Sequence, residues 1–145
     1  MKTILTQLKF VKWLSAEDMH ATSKNWLLEL KFIRDEQHFF EDLIRKYIFQ
    51  LIAPDQFKAS AKIVDSLAAL NKENEKLINL IQKHENDLKI MVDGKDQLIE
   101  EEIYKVEHKR LIEIVDEFLK EYKNLKQSVF STIKTIVKKE KKKIT

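Results

Sequence analysis

Apolar residues recur along this chain at alternating steps of four and three, the spacing that lines one side of a helix. From Trp26 the series runs Trp26, Leu30, Ile33, Gln37, Phe40, Ile44, Tyr47, Leu51. A second runs Ile63, Leu67, Leu70, Asn74, Leu77, Ile81, His84, Leu88, Met91. A third runs Tyr104, His108, Leu111, Val115, Phe118, Tyr122, Leu125, Val129, Thr132, Ile136. Two breakers separate them. Ala53-Pro54-Asp55 suits a helix stop followed by a new start with proline in its first turn. Asp93-Gly94-Lys95-Asp96 offers a glycine for a left-handed cap, then an acid to open the next helix. The pattern predicts helices over about 24–52, 55–92 and 96–138. Short loops make successive helices antiparallel, so the expected fold is all-α, an up-down-up bundle of three long helices. Leu27, Leu43, Ile48, Ile78, Ile103, Ile114 and Leu119 widen the stripes beyond a two-stranded coiled coil, so each helix faces at least two partners.

Before the first series, Ile4, Leu8, Val11 and Leu14 also recur at helical spacing. They predict a short amphipathic helix within residues 1–18, an arm that docks through Trp13 or stands free. Ser15, with Asp18 three residues on, can cap a further turn. Residues 1–145 are expected to form one domain, with 138–145 as a basic tail.

Composition narrows the function. With 1 Gly and 1 Pro in 145 residues, a β-sandwich, a barrel or an alternating α/β fold lacks its turns. A single glycine also excludes a glycine-rich phosphate loop, and 0 Cys excludes disulfides, thiolate metal sites and cysteine nucleophiles. The net charge of +3 is unevenly spread. From Lys120 to Lys143 nine lysines stand against Glu121 and Glu140, a local +7 that leaves −4 on the remainder. Lys134, Lys138, Lys139, Lys141, Lys142 and Lys143 are thus the candidates for binding an anionic surface. No apolar run approaches the roughly 20 residues needed to span a membrane. Gln7, Lys9 and Lys12 interrupt what would be the core of a signal peptide, so a cytoplasmic location is expected.

The polar residues inside the stripes are the informative exceptions. Residues equally distant from a turn lie at the same height in an antiparallel hairpin. About Pro54, Gln37 falls level with residue 71; about Gly94, residues 71–74 fall level with 114–117. Gln37, Asn71, Asn74 and Asp116 or Glu117 are expected to share a polar layer that penalises slipped registers. The same arithmetic sets His84 level with Tyr104, and His108 only four residues, roughly 6 Å, away along the axis. Trp26 and His20 fall at that end too, with Asp87 and Glu107 nearby. His20, His84 and His108 are therefore the candidate metal ligands, although no histidine repeats at i, i+4. The alternative is a pair of buried, hydrogen-bonded histidines closing the bundle's end. Asp35-x-x-His38, with Glu41 and Asp42, superficially resembles half a di-iron helix. A ferritin-like site needs inward carboxylates and a second such pair from other helices, which are missing, so a solvated, ion-paired face is expected. No serine or threonine stands at a telling spacing from a histidine, and Glu100-Glu101-Glu102 is a solvated acidic run; no enzyme and no cofactor are expected.

The stretch Asn25-Trp26-Leu27-Leu28-Glu29-Leu30-Lys31-Phe32-Ile33-Arg34-Asp35-Glu36-Gln37-His38-Phe39-Phe40 resembles the opening helix of small, uncharacterised bacterial helical proteins. There Asn-x-Trp-Leu starts the helix and an Asp-Glu pair with aromatics follows; Asn74 and His84-Glu85 match the later asparagine and His-Glu pair. The likeness covers about residues 20–92. It implies an antiparallel bundle and brings no activity with it.

Phe32, Phe39, Phe49, Phe57 and Phe130 lie off the main seams. Three helices cannot bury every direction of such a surface, so a protein partner or a second copy is the leading expectation. The alternatives are an anionic membrane met by the Lys-rich last helix, whose apolar side is Leu125, Val129, Phe130, Ile133, Ile136 and Val137, and a metal or small ligand at the His84/His108 end. Nucleic acid is less favoured, because aromatics do not interleave with the lysines.

Overall fold

The computed structural model describes residues 14–93 and 98–144. Among them are four helices and no strand: α1 (Ala16–Lys46), α2 (Ile48–Leu51), α3 (Phe57–Asp93) and α4 (Leu98–Ile144). The fold is all-α, as the periodicity predicts.

α1 starts eight residues before the predicted boundary, and the cause is local. Ser15 Oγ accepts the Asp18 N–H at 3.1 Å, and the Asp18 carboxylate accepts the Ser15 N–H at 3.2 Å. This capping box satisfies two N–H groups the helix itself leaves unpaired. Ser15→Ala is expected to cost about 1 kcal/mol and lower the melting midpoint by about 3 °C; an unchanged melt would mean the first turn contributes nothing. The expected helix before residue 18 lies, as far as Trp13, outside the described residues. Leu14 packs against the core.

At Tyr47 the backbone leaves helical geometry (φ −107°, ψ 22°), which separates the one-turn α2 from α1. The Ala53 carbonyl then accepts N–H bonds from Gln56 (2.9 Å) and Phe57 (2.8 Å), with Pro54 at the corner, where its fixed φ suits the turn. The Gly94 turn lies outside the described residues. α4 runs past the predicted stop at 138 and carries the lysine run on regular helix.

Cross-helix contacts fix the topology. His20–Glu85, Leu30–Asn74 and Arg34–Glu75 pair α1 with α3 in opposite directions. Trp26–His108, Glu36–Tyr122 and Phe40–Phe130 run in step along α1 and α4, so those two are parallel. Every seam residue from Leu67 to Met91 on α3 is buried, as are Leu111, Val115, Phe118, Tyr122, Leu125, Val129 and Ile136 on α4. One continuous apolar cluster joins Leu67, Leu70, Leu77 and Ile81 of α3 and Leu111, Val115, Phe118, Tyr122, Leu125 and Val129 of α4 to Trp26, Leu30, Ile33 and Phe40 of α1. At roughly 2 kcal/mol for each fully buried large side chain, this interior is the principal favourable contribution to folding.

Candidate functional site

The histidine end is closed. His84 on α3 and His108 on α4 are 3% and 0% exposed, and their facing nitrogens, His84 Nε2 and His108 Nδ1, lie 3.1 Å apart in a hydrogen bond. Their rings stack at 5.3 Å, the Trp26 indole covers His108 at 4.9 Å, and Tyr104 meets His84 edge-on. The reflection about Gly94 sets His84 level with Tyr104 and His108 within about 6 Å of them along the axis, and the side chains close that offset by direct contact. Burial, and then the neighbouring His84, push the His108 imidazole down to about 3. Burial also lowers His84, against the weaker opposing pull of Glu107 and Asp87. Both rings are therefore neutral near pH 7. His20 is not a third member of the pair: its Nε2 lies 2.8 Å from the Glu85 carboxylate. Among the described residues no three His, Asp or Glu side chains are grouped closely enough to hold a metal ion. Two neutral imidazoles bonded to each other also fall short of a tetrahedral ligand set.

The expected polar layer does not form as a bonded set. Asn74 Nδ2 donates to the Leu30 carbonyl at 3.0 Å, two helical turns of α1 away from Gln37. Gln37 is 1% exposed, and neither its Nε2 nor its Oε1 has a hydrogen-bond partner among the described residues. Asn71 is half-buried, and Asp116 pairs with Lys120 of its own helix at 3.0 Å. The nearest polar tie between α1 and α4 is Glu36, which accepts from the Tyr122 hydroxyl and from Lys126 Nζ at 2.9 Å. Burial and that carboxylate push the Tyr122 phenol upward. This tie crosses two helix stripes, and spacing along either one alone does not reveal it.

His38 lies 3.6 Å from Glu41, and Asp42 3.2 Å from Arg45, on the exposed side of α1. That side is the ion-paired face expected for Asp35-x-x-His38. A groove of about 890 Å³ runs between α3 and α4, lined by small and polar side chains such as Ala59, Ser66, Ala69 and Ser128. Desolvation there, with Glu121 and Glu117, raises the Glu73 carboxyl. The groove's lining includes no histidine, so it has no nucleophile–base pair of the serine–histidine kind.

Among the exposed apolar side chains are five phenylalanines. Phe49 is 80% exposed, Phe32 65%, Phe57 57%, Phe39 54% and Phe130 45%. Leu28, Phe32 and Phe39 fall within about 40° of one another around α1, on the side opposite the buried Trp26, Leu30 and Ile33. Phe49, Ile52 and Phe57 flank the Pro54 turn.

The candidate lysines Lys134, Lys138, Lys139 and Lys141 are exposed on the last turns of α4; Lys142 and Lys143 continue the same helix. Lys139 reaches Asp55 at 3.1 Å, and Glu140 accepts from Gln50 at 3.2 Å, tying this end to the turn. The apolar side beneath it is half committed: Leu125, Val129 and Ile136 are buried in the bundle, Ile133 and Val137 are half-buried, and Phe130 is exposed. No helix among the described residues is long and apolar enough to cross a membrane. Compared with known proteins, the chain matches no family model, no curated protein and no solved structure.

Proposed function

We propose that this chain is a non-enzymatic helical bundle of the cytoplasm that works through protein–protein contact, as an adaptor or assembly module. The observation that carries the proposal is the exposure of Phe32, Phe39, Phe49, Phe57 and Phe130, the first four of them beside exposed aliphatic residues on a common face or turn. Removing one such ring from water is worth about 2 kcal/mol, so a partner covering two or three of them gains enough for specific binding.

Photo-crosslinking phenylalanine analogues placed at positions 32, 39, 49 and 57 in the native cell test this. Protein adducts are expected at these positions and not at the exposed Lys72 on α3. Adducts at none of the four would sink the proposal.

The anionic-surface alternative is supported by the exposed Lys134, Lys138, Lys139 and Lys141, carried on a helix whose apolar side is half committed to the core. Contact through lysines alone predicts vesicle or oligonucleotide binding that falls steeply with salt. It also predicts that binding weakens sharply when the chain ends at Val137, which removes Lys138, Lys139, Lys141, Lys142 and Lys143 and keeps Lys134. Equal binding by both forms removes the lysine run from consideration.

A further inference from the structure

We propose that the outer face of α1 pairs with the same face of a second copy of this chain, antiparallel and two-fold symmetric, about an axis beside Phe32. This rests on the reading that the exposed aromatic residues are contact groups, and it names the partner.

Glu17, Lys24, Leu28, Lys31, Phe32, Asp35, Phe39, Asp42 and Lys46 are all exposed. At 100° per residue they form a stripe about 100° wide, the width of a helix-packing face. The apolar members, Leu28, Phe32 and Phe39, lie along one edge of it near mid-length, with Lys24, Lys31, Asp35 and Asp42 along the other. The charges decide the geometry. Along the chain they read minus at Glu17, plus at Lys24 and Lys31, minus at Asp35 and Asp42, plus at Lys46. Read backwards, every sign is opposite. An antiparallel copy therefore meets six complementary charges, whereas a parallel copy meets six like charges.

The spacing agrees. With the axis between residues 32 and 33, Phe32 falls against the partner's Phe32. Lys24 lies within one residue of the height of the partner's Asp42, and Lys31 within one of the partner's Asp35. Leu28 is within two residues of the partner's Phe39, and Glu17 within two of the partner's Lys46. A two-residue offset is about 3 Å along the axis, well inside the reach of these side chains. The intramolecular ties on this face are weak: the Asp42–Arg45 pair is more than 70% exposed at both ends, a geometry that contributes little. The match is isologous and closes at two copies, so it gives a dimer and not a filament. A single helix pair lies at the low end of interface size, which implies a dissociation constant on the order of micromolar to tens of micromolar.

Sedimentation equilibrium of the full chain between about 1 and 300 µM, bracketing that range, tests the proposal. A monomer–dimer equilibrium is expected. Two charge-reversed variants are compared with it, Lys24→Glu with Lys31→Glu, and Asp35→Lys with Asp42→Lys. Each alone places like charges opposite one another and is expected to weaken the dimer at least tenfold. Mixed in equal amounts, they restore all the opposed pairs, and heterodimer affinity is expected to return to within about threefold of the unaltered chain. All four positions are exposed, and unchanged melting curves confirm that the variants fold. A chain that stays monomeric throughout the range overturns the proposal. So does a dimer indifferent to both variants, or two weakened variants that fail to rescue each other. A monomeric chain that still yields adducts to another protein at position 32 rejects self-pairing and leaves the contact reading standing; a monomer without adducts rejects both.

Discussion

Replacing Gln37 by leucine should raise the stability of the bundle by about 1–3 kcal/mol and its melting midpoint by about 5 °C. The side chain is 1% exposed, and both of its amide atoms lack a partner among the described residues. Folding thus strips an amide of its solvation without returning a hydrogen bond, and each such group costs on the order of 1–3 kcal/mol. Leucine has nearly the same volume and no polar atom, so it keeps the packing and removes the penalty. Asn74 behaves differently. Its Nδ2 donates to the Leu30 carbonyl while its Oδ1 stands unpaired, so Asn74→Leu exchanges one lost bond for one relieved acceptor and should be close to neutral. Urea unfolding of both variants at constant slope checks the contrast. A destabilised Gln37→Leu would mean that the amide is satisfied in solution and that the polar layer exists after all.

The seams were legible because burial dictates them. Trp26, Leu30, Ile33 and Phe40, the α3 series from Leu67 onward and most of the α4 series are buried where the four-three repeat puts them. Heights were legible as well, since Pro54 and Gly94 fix the points of reflection; His84 and His108 meet within one turn of their calculated levels. Helix ends were less so, and the reason is chemical. Thr22 and Ser23 have the composition of a helix start, but their hydroxyls donate back to the Asp18 and Met19 carbonyls, at 3.0 and 2.8 Å, and let α1 run through them. At the other end, the lysine run lacks any residue that breaks a helix, and the Lys139–Asp55 and Glu140–Gln50 contacts hold it to the turn. The pairings of His20 with Glu85 and of Glu36 with Tyr122 and Lys126 depend on how stripes rotate against each other. A one-dimensional repeat does not carry that rotation. The same limit hides the orphaned state of Gln37: spacing places an amide in the core without showing which atoms reach it.

Acidifying the solution from pH 7 to pH 5 should cost the fold about 2 kcal/mol through His108 alone, with His84 acting in the same direction. In the unfolded chain an imidazole takes up its proton near pH 6.5, whereas in the bundle burial holds His108 down to about 3. Between those values the unfolded state binds more protons than the native one, so stability falls as the pH falls. The contribution is complete above the unfolded value, is lost progressively below it and levels off only near the folded value. The carboxylates held low by Arg34 and Arg110, Glu75 and Glu107, contribute above their unfolded value of 4.5 and lose that contribution as pH falls further. The window between pH 5 and 7 lies above these carboxylates; the raised Glu73 carboxyl acts there in the opposite sense, so the histidine share is read as the difference that replacing His108 makes. The geometry agrees with the sign: His84 Nε2 and His108 Nδ1 share one proton in their 3.1 Å bond, and a second proton there would set two donors against each other beneath Trp26. Denaturant unfolding at several pH values checks the size of the effect. His108→Leu should flatten the slope between pH 5 and 7 by about 2 kcal/mol while leaving the carboxylate-driven loss below pH 4.5 in place. The His108 ring resonances of the unaltered chain should keep their neutral positions down to about pH 4. A slope that His108→Leu does not change, or a His108 signal titrating near 6.5, would show that the histidine end is open to water and that the layer formed with Trp26 and Tyr104 is not the closed packing its burial implies.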